Sequence, residues 1–369
     1  MRVILTGGGT GGHVNPARAI ADVIKKHDPE AVIAYVGTKK GIENRLVGKE
    51  GYEIYHVEAR GFKRSFSPSN LITAWYYFTA PGVAKKVMKK FKPDIVIGTG
   101  GYVCYAPLKA AAELGIPTMV HESNAKPGRA VKMLQNFVDR ILLNFPQSEA
   151  EISAKDKIRV VGNPLRGEFG SYTKDQAREL LKIDKKYKHV LLSYGGSLGA
   201  AKINGYALEI MEKYLCEHPD VLHIHATGKD GYEKFCASFK EKGLEKLSNA
   251  DVNEYIYDMP LKMAAADLVI SRAGAMTVTE MAKMKKACVM IPSPNVADNH
   301  QYKNAKVLSD EGAVLLLEER ELAEGRIVNE IDNLLKSPAK RTEMEEKIAA
   351  FAGDDAKELI YKEIKELVK

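Results

Sequence analysis

His13 stands directly after the run Gly7-Gly8-Gly9-Thr10-Gly11-Gly12, and Glu280 lies three residues beyond Ser271-Arg272-Ala273-Gly274-Ala275-Met276-Thr277. An imidazole beside a glycine-rich turn can take a proton from a hydroxyl near neutral pH, and a carboxylate beside a small-residue turn can accept the hydroxyls of a sugar. A third turn, Gly195-Gly196-Ser197-Leu198-Gly199-Ala200, opens the second half of the chain. Such turns, set between an apolar run and a helix-like segment, bring backbone N–H groups and the positive end of a helix dipole against an anion. One in each half points to two phosphorylated ligands. Two more small, polar turns, Gly98-Thr99-Gly100-Gly101-Tyr102 and His121-Glu122-Ser123-Asn124, close other apolar runs.

Short apolar runs at 3–5, 31–36, 54–57, 94–97, 117–121 and 140–144 alternate with amphipathic stretches at 15–26 and 105–114. A second series follows, with runs at 190–193, 222–226, 252–255, 267–271, 288–291 and 313–316 and helical stretches at 201–214 and 277–284. This alternation predicts an α/β fold of two Rossmann-like, doubly wound domains facing a cleft. In open parallel sheets ligands bind at the carboxyl edge of the strands, where all of these turns emerge. The turn residues Val161-Gly162-Asn163-Pro164 mark the junction, giving domains at 1–164 and 165–339, with a charged helical tail at 340–369 returning to complete the first.

The chain has 369 residues, 45% hydrophobic and 28% charged, as in a globular protein too long for one core. Residues 1–165 hold 24 Lys+Arg against 14 Asp+Glu, whereas the remainder holds 31 against 34, so the first half calls for an anionic partner. Cys104, Cys216, Cys236 and Cys288 are scattered and read as reduced thiols. The amino terminus runs straight into glycines without a signal-like apolar stretch, which predicts a cytosolic chain. The uncharged stretch between Arg64 and Lys85 is interrupted by Pro68, Asn70, Pro81 and Gly82, so no spanning helix is expected.

Gly7-x-Gly9-x-x-Gly12 satisfies the dinucleotide fingerprint as written, but the acid about 20 residues on that should hold the ribose is missing. The second strand ends Val36-Gly37-Thr38-Lys39-Lys40, and Glu43 is the nearest acid. No Asp-x-Asp and no metal-ligand spacing occurs, so a departing diphosphate would be met by backbone N–H groups, Ser197, helix dipoles and the guanidiniums of Arg166 or Arg272. An isolated Glu280 near a helix start would serve the dipole; beside a phosphate turn it also fits a ribose diol. Arg60-Gly61-Phe62-Lys63-Arg64 leads into Leu71, Ile72, Trp75, Tyr76, Tyr77 and Phe78 and then Lys85, Lys86, Lys89, Lys90 and Lys92. Rings at helical spacing suit a core, but rings and lysines together in the basic half suit an acidic membrane surface.

The ordered set Gly8-Gly9-Thr10-Gly11-Gly12-His13, Gly100-Gly101-Tyr102, His121-Glu122-x-Asn124, Val161-Gly162-Asn163-Pro164-x-Arg166, Gly195-Gly196-Ser197-x-Gly199-Ala200, Ser271-Arg272-x-Gly274-Ala275-x-Thr277-Val278-x-Glu280 and Gln301-Tyr302 resembles the MurG glycosyltransferases nearly end to end. That resemblance implies a fold of the GT-B type. It also implies inverting, metal-independent and cofactor-free transfer from UDP-N-acetylglucosamine to the C4 hydroxyl of lipid-linked N-acetylmuramyl-pentapeptide at the cytoplasmic membrane face, without a nucleic-acid partner. On the donor side it implies Ile256 at the uracil, Glu280 at the ribose, and Ser197, Gly196 and Gly199 at the diphosphate. Arg272, Ala275, Met276, Thr277, Val278, Thr279, Gln301, Asn124 and Arg166 would surround the rest of the donor. Thr10, Gly11, Gly12, Gly100 and Gly101 would take the acceptor's diphosphate, with His13 as candidate base. Leu198, Ser123 and His300 depart from the residues common in that family and bear on fine sugar contacts. On the residues alone, transfer to another membrane lipid such as diacylglycerol, and a non-catalytic sugar-nucleotide binder, remain open.

Overall fold

The computed structural model describes residues 1–61, 69–196 and 198–368, and the chain divides into two compact units, Met1–Arg166 with Gly353–Lys369, and Gly167–Ala352. In the first unit the apolar runs form seven parallel strands, β1 (Arg2–Thr6), β2 (Val32–Gly37), β3 (Glu53–His56), β4 (Ile95–Gly98), β5 (Thr118–Glu122), β6 (Arg140–Leu143) and β7 (Ile158–Val160), in the order β3-β2-β1-β4-β5-β6-β7. Central strands of a parallel sheet are covered on both faces, which is why these runs are apolar at successive positions. Alternation by twos then splits them between two cores. Ile4, Val96, Val120 and Ile141 pack with Met88, Leu108 and Leu134 on one face, while Leu5, Ile97, Met119 and Leu142 meet Val14, Ile20 and Ile24 of the helix Gly11–His27 on the other.

That second face is finished by the end of the chain. The helix Ala356–Leu367 inserts Ile360 and Ile364 beside the helix Gly11–His27, and Glu358 pairs with Lys26 at 2.7 Å and His27 at 2.6 Å. The sequence placed the return at 340. The helix Pro338–Ala349 instead packs on the helices Arg326–Lys336 and Ala275–Met284, with Met344 in their core, so the chain rejoins the first unit only from Gly353.

The second unit repeats the plan with six parallel strands, β8 (His189–Tyr194), β9 (Val221–Ala226), β10 (Ala250–Asn253), β11 (Leu268–Ser271), β12 (Cys288–Met290) and β13 (Leu315–Leu316), in the order β10-β9-β8-β11-β12-β13. In both sheets the chain builds outward on one side of its first strand and then crosses to the other side. Each sheet therefore has one switch point, between β1 and β4 and between β8 and β11, where the loops leaving the strands diverge and open a crevice.

Candidate functional site

At the first switch point the helix after β1 begins at Gly11, earlier than the apolar pattern placed it, so His13 sits in its first turn. Thr10 supplies no side-chain cap and the first turn holds no acid, which leaves the positive end of the dipole unneutralised. The imidazole is lodged against the turn after β4: a Cβ on Gly100 would lie 2.7 Å from its Nδ1, and one on Gly101 3.1 Å from its Cδ2. Gly100 also has a φ of 97°, so the contact requires glycine. Thr99 Oγ1 donates to the His13 carbonyl at 2.6 Å, tying the two turns together.

Two residues behind this turn carry no sequence signal for the role they play. Glu43, fully buried, accepts from Thr38 N at 2.8 Å and Thr38 Oγ1 at 2.9 Å, and its other oxygen would stand 2.9 Å from a Cβ on Gly8. Tyr102 covers Gly9, with its ring edge 3.1 Å from where a Cβ would be. Nearby, burial pushes His121 down to about 4, helped by the field of His13, so it is neutral at physiological pH; its Nε2 meets the Gly162 carbonyl at 2.8 Å. Asn124 shapes the turn after β5: its backbone N and its Nδ2 both donate to Glu122 Oε1, at 2.9 and 3.0 Å. The Arg166 guanidinium is gripped by Asp22, at 2.6 Å, and Glu50, at 2.8 Å.

At the second switch point Gly195, Gly196 and Gly199 form the turn after β8; Ser197 lies outside the described residues. A Cβ on Gly199 would fall 2.1 Å from the Thr227 carbonyl oxygen, and its φ is 87°, so two backbone segments touch here with no room for a side chain. The helices that follow β8 and β11, Ala201–Ile210 and Ala275–Met284, both start without a side-chain cap and without an acid in the first turn. Within the latter, Val278 and Thr279 are buried, and Thr279 Oγ1 donates to the Ala275 carbonyl at 3.1 Å. Met276, Thr277 and Glu280 keep partial exposure.

Glu280 keeps an exposed edge, yet burial of its carboxyl pushes it up to about 8. Ile256 is buried in the loop after β10. Gln301 accepts from Ser293 N at 2.8 Å through Oε1, so its side chain pins the loop before its helix. Arg272 is committed, with Nη1 donating to the Ile291 carbonyl at 3.0 Å and pairing with Glu319 at 2.6 Å. Neither Arg166 nor Arg272 presents a bare guanidinium.

The helix Ser69–Phe91 divides its rings between core and surface: Tyr77 packs on the first core against Tyr105, with ring centroids 4.3 Å apart, and Tyr76 is half-buried. Thr73, Ala80, Ala84 and Met88 face inward, while Leu71, Trp75 and Phe78 are 76%, 66% and 85% exposed, with Ile72 also exposed. Lys86 and Lys89 are exposed, whereas Lys85 pairs with Glu113 at 2.8 Å. The residues 62–64 that open this motif lie outside the described ones. Among the described residues no helix is long and apolar enough to cross a membrane.

The Glycosyltransferase family 28 N-terminal domain matches residues 3–143 and the Glycosyltransferase family 28 C-terminal domain residues 190–360. The UDP-N-acetylglucosamine–N-acetylmuramyl-(pentapeptide) pyrophosphoryl-undecaprenol N-acetylglucosamine transferase of Acetivibrio thermocellus is 41% identical over 100% of this chain and 99% of its own. The protein of the same name from Caldanaerobacter subterraneus subsp. tengcongensis is 40% identical over 99% of each. Among solved structures, Acinetobacter baumannii MurG superposes with a TM-score of 0.78 at 28% identity over 99% of both chains. The calicheamicin glycosyltransferase CalG4, at 14% identity and a TM-score of 0.69 over 100% of this chain and 98% of its own, shares the fold. Two parallel sheets with glycine turns at both switch points, matched over their full length by relatives of one name, place this chain in the MurG family of glycosyltransferases.

Proposed function

We propose that the protein transfers N-acetylglucosamine from UDP-N-acetylglucosamine to the C4 hydroxyl of undecaprenyl-pyrophosphoryl-N-acetylmuramyl-pentapeptide, with inversion and without a metal, in peptidoglycan synthesis. The observation that carries the reading is the pairing of two uncapped, acid-free helix starts with two different side chains, His13 at one switch point and Glu280 at the other. In the second unit the nucleotide's diphosphate would meet the Gly196–Gly199 turn, with Ser197, and the helix start at Ala275; Glu280 would accept the ribose hydroxyls and Ile256 the uracil edge. In the first, Thr10–Gly12 and Gly100–Gly101 would hold the acceptor's diphosphate.

The chemistry is then one displacement. His13 takes the proton from the acceptor's C4 oxygen, that oxygen bonds to the anomeric carbon, and the bond from that carbon to the UDP oxygen breaks with its electron pair passing to the diphosphate. Attack opposite the leaving group turns an α-linked donor into a β-linked product. The exposed Leu71, Ile72, Trp75 and Phe78, with Lys86 and Lys89 behind them and Lys85 in its ion pair, would seat the first unit on an anionic membrane, peripherally and on the cytoplasmic face, where the lipid acceptor is reached. Nucleic acid is not a partner in this reading. Transfer to diacylglycerol draws no support from the relatives, whose names specify the muramyl acceptor. Release of UDP that requires the muramyl lipid and yields the disaccharide lipid tests the proposal; release driven by diacylglycerol, or binding without release, refutes it.

A further inference from the structure

Beneath the turn after β8 runs a chain of buried polar side chains that the proposed chemistry does not use. Ser193 and His225 are register partners on β8 and β9, and His223 pairs with Leu191 two residues back, so all of them leave the sheet on one face. The helix Ala201–Ile210 covers that face, packing Ile203 and Ala207 with Leu191, and Ser193, Asn204, His223 and His225 are all buried. Their hydrogen bonds have one direction. Asn204 Nδ2 donates to the Thr227 carbonyl at 3.0 Å, which leaves its Oδ1 facing His225 Nε2 at 3.2 Å and requires the proton on that nitrogen. Burial pushes His225 down to about 4, so the ring is neutral and its Nδ1 is bare. Nδ1 accepts from the Ser193 hydroxyl at 2.7 Å, and Ser193 Oγ in turn accepts from His223 Nε2 at 2.7 Å. The Ser193 carbonyl, 3.1 Å from the same bare nitrogen, is a neighbour and not a partner.

Four bonds therefore run from His223 through Ser193, His225 and Asn204 to the Thr227 carbonyl, each polarising the next. That carbonyl stands against the glycine turn after β8. A Cβ on Gly199 would lie 2.1 Å from its oxygen, and a Cβ on Gly228 2.1 Å from Gly199 N, so the turns after β9 and β8 meet backbone to backbone. Apolar side chains would fill the space under the sheet at a lower desolvation cost, whereas a bonded polar run fixes one geometry. We propose that His225 is a positioning residue for the donor: through Asn204 it holds the Thr227 carbonyl, and with it the Gly196–Gly199 turn, in the spacing that a diphosphate requires. This rests on the reading of that turn as the diphosphate site. His225 touches no substrate; its loss frees Asn204 to turn, and the carbonyl, the negative end of a peptide dipole, is then no longer fixed beside an anion.

The affinities of the full-length protein for UDP, by calorimetry, and for uridine, by displacement of UDP, give the gain due to the diphosphate. His225→Phe keeps a ring beside Phe235, whose centroid lies 4.9 Å away, and removes both ring nitrogens. It is expected to cut that gain about fivefold, as for one hydrogen bond, and to leave uridine affinity unchanged. His225→Gln, whose amide can donate to Asn204 while its carbonyl accepts from Ser193, should restore most of the gain. His223→Phe, at the far end of the run, should change it less than about twofold. A purely structural histidine would lower the melting temperature and leave the ratio of the two affinities alone. Should His225→Phe fail to fold, His225→Asn, which reaches Ser193 and stops short of Asn204, carries the same expectation. If the native chain gains nothing from the diphosphate, the phosphate-turn reading falls and takes the inference with it. If it gains and the Phe or Asn variant keeps the gain, or His225→Gln restores none of it, the inference alone is overturned.

Discussion

At the switch point of the first sheet an imidazole is wedged against two glycines; at that of the second a desolvated carboxyl stands on the helix that follows β11. The strand order around the two is the same, and each is served by helix starts that no side chain caps. The backbone therefore provides the same thing twice, a place that in the proposed reading takes a diphosphate, and the residues within two helical turns of that place decide what is done with it. A base one residue past a glycine turn suits a group that must lose a proton. A desolvated acid two turns into a helix suits a diol that must be held.

Replacing His13 tests that division most severely. His13→Ala should lower kcat by about 10² to 10⁴ while UDP affinity, measured by calorimetry, stays put; loss of UDP affinity would show that the histidine serves the nucleotide instead. The glycines separate the two turns in another way. Gly199→Ala drives a Cβ into the Thr227 carbonyl, 2.1 Å away, and backbone cannot yield, so a loss of about 3 kcal/mol in urea unfolding is expected. Gly100→Ala meets the His13 ring at 2.7 Å, which can rotate aside, so turnover should fall further than stability.

Glu280→Gln should weaken UDP binding by roughly tenfold or more and leave the acceptor KM unchanged. Its pH signature has a definite sign. The carboxyl is pushed up to about 8 in the folded protein, far above its unfolded value of about 4.3, so the native state holds the extra proton between those limits. Stability contributed by that proton is present below the unfolded value and is lost as pH rises through the folded one. The glutamine variant should therefore lose less stability than the native chain between pH 5 and 8. If the charged carboxylate is what binds the diol, UDP binding near pH 7 releases a proton, visible as a dependence of binding heat on the buffer.

Much of this arrangement was legible in the letters. An apolar run followed by glycines marks a parallel strand and its turn almost regardless of context, and β1, β4, β8 and β11 emerge where such runs stand. The helix Ser69–Phe91 was harder, because Pro81 and Gly82 read as breaks, yet a 23-residue helix continues through both. Arg166 and Arg272 read as phosphate contacts because charge is visible in sequence while partners are not: Asp22 lies 144 residues from Arg166 and Glu50 lies 116.

The first unit differs from the second in one more respect, its basic excess and the apolar face of the helix Ser69–Phe91. Trp75→Ser with Phe78→Ser should abolish most binding to anionic vesicles, yet change unfolding free energy by less than about 0.5 kcal/mol, since both rings are already in solvent. Survival of vesicle binding would leave that face without a membrane role.

The smallest expected effect is the most discriminating. A lysine beside an acidic membrane contributes about 1 kcal/mol, close to fivefold in affinity, but only to the extent that its charge is not already met. Glu113 is flanked by Lys85 at 2.8 Å and Lys109 at 3.1 Å, and these two hold its carboxyl below the usual range. Lys86→Met and Lys89→Met should each weaken vesicle binding about fivefold, with a smaller dependence on salt than the native chain shows. Lys85→Met should cost less than twofold by the same reasoning, because removing it also frees Glu113 to repel the surface only as far as Lys109 allows. Equal losses at all three positions would mean that the Lys85–Glu113 pair opens on contact with lipid, and that the whole row, not two of its members, meets the membrane.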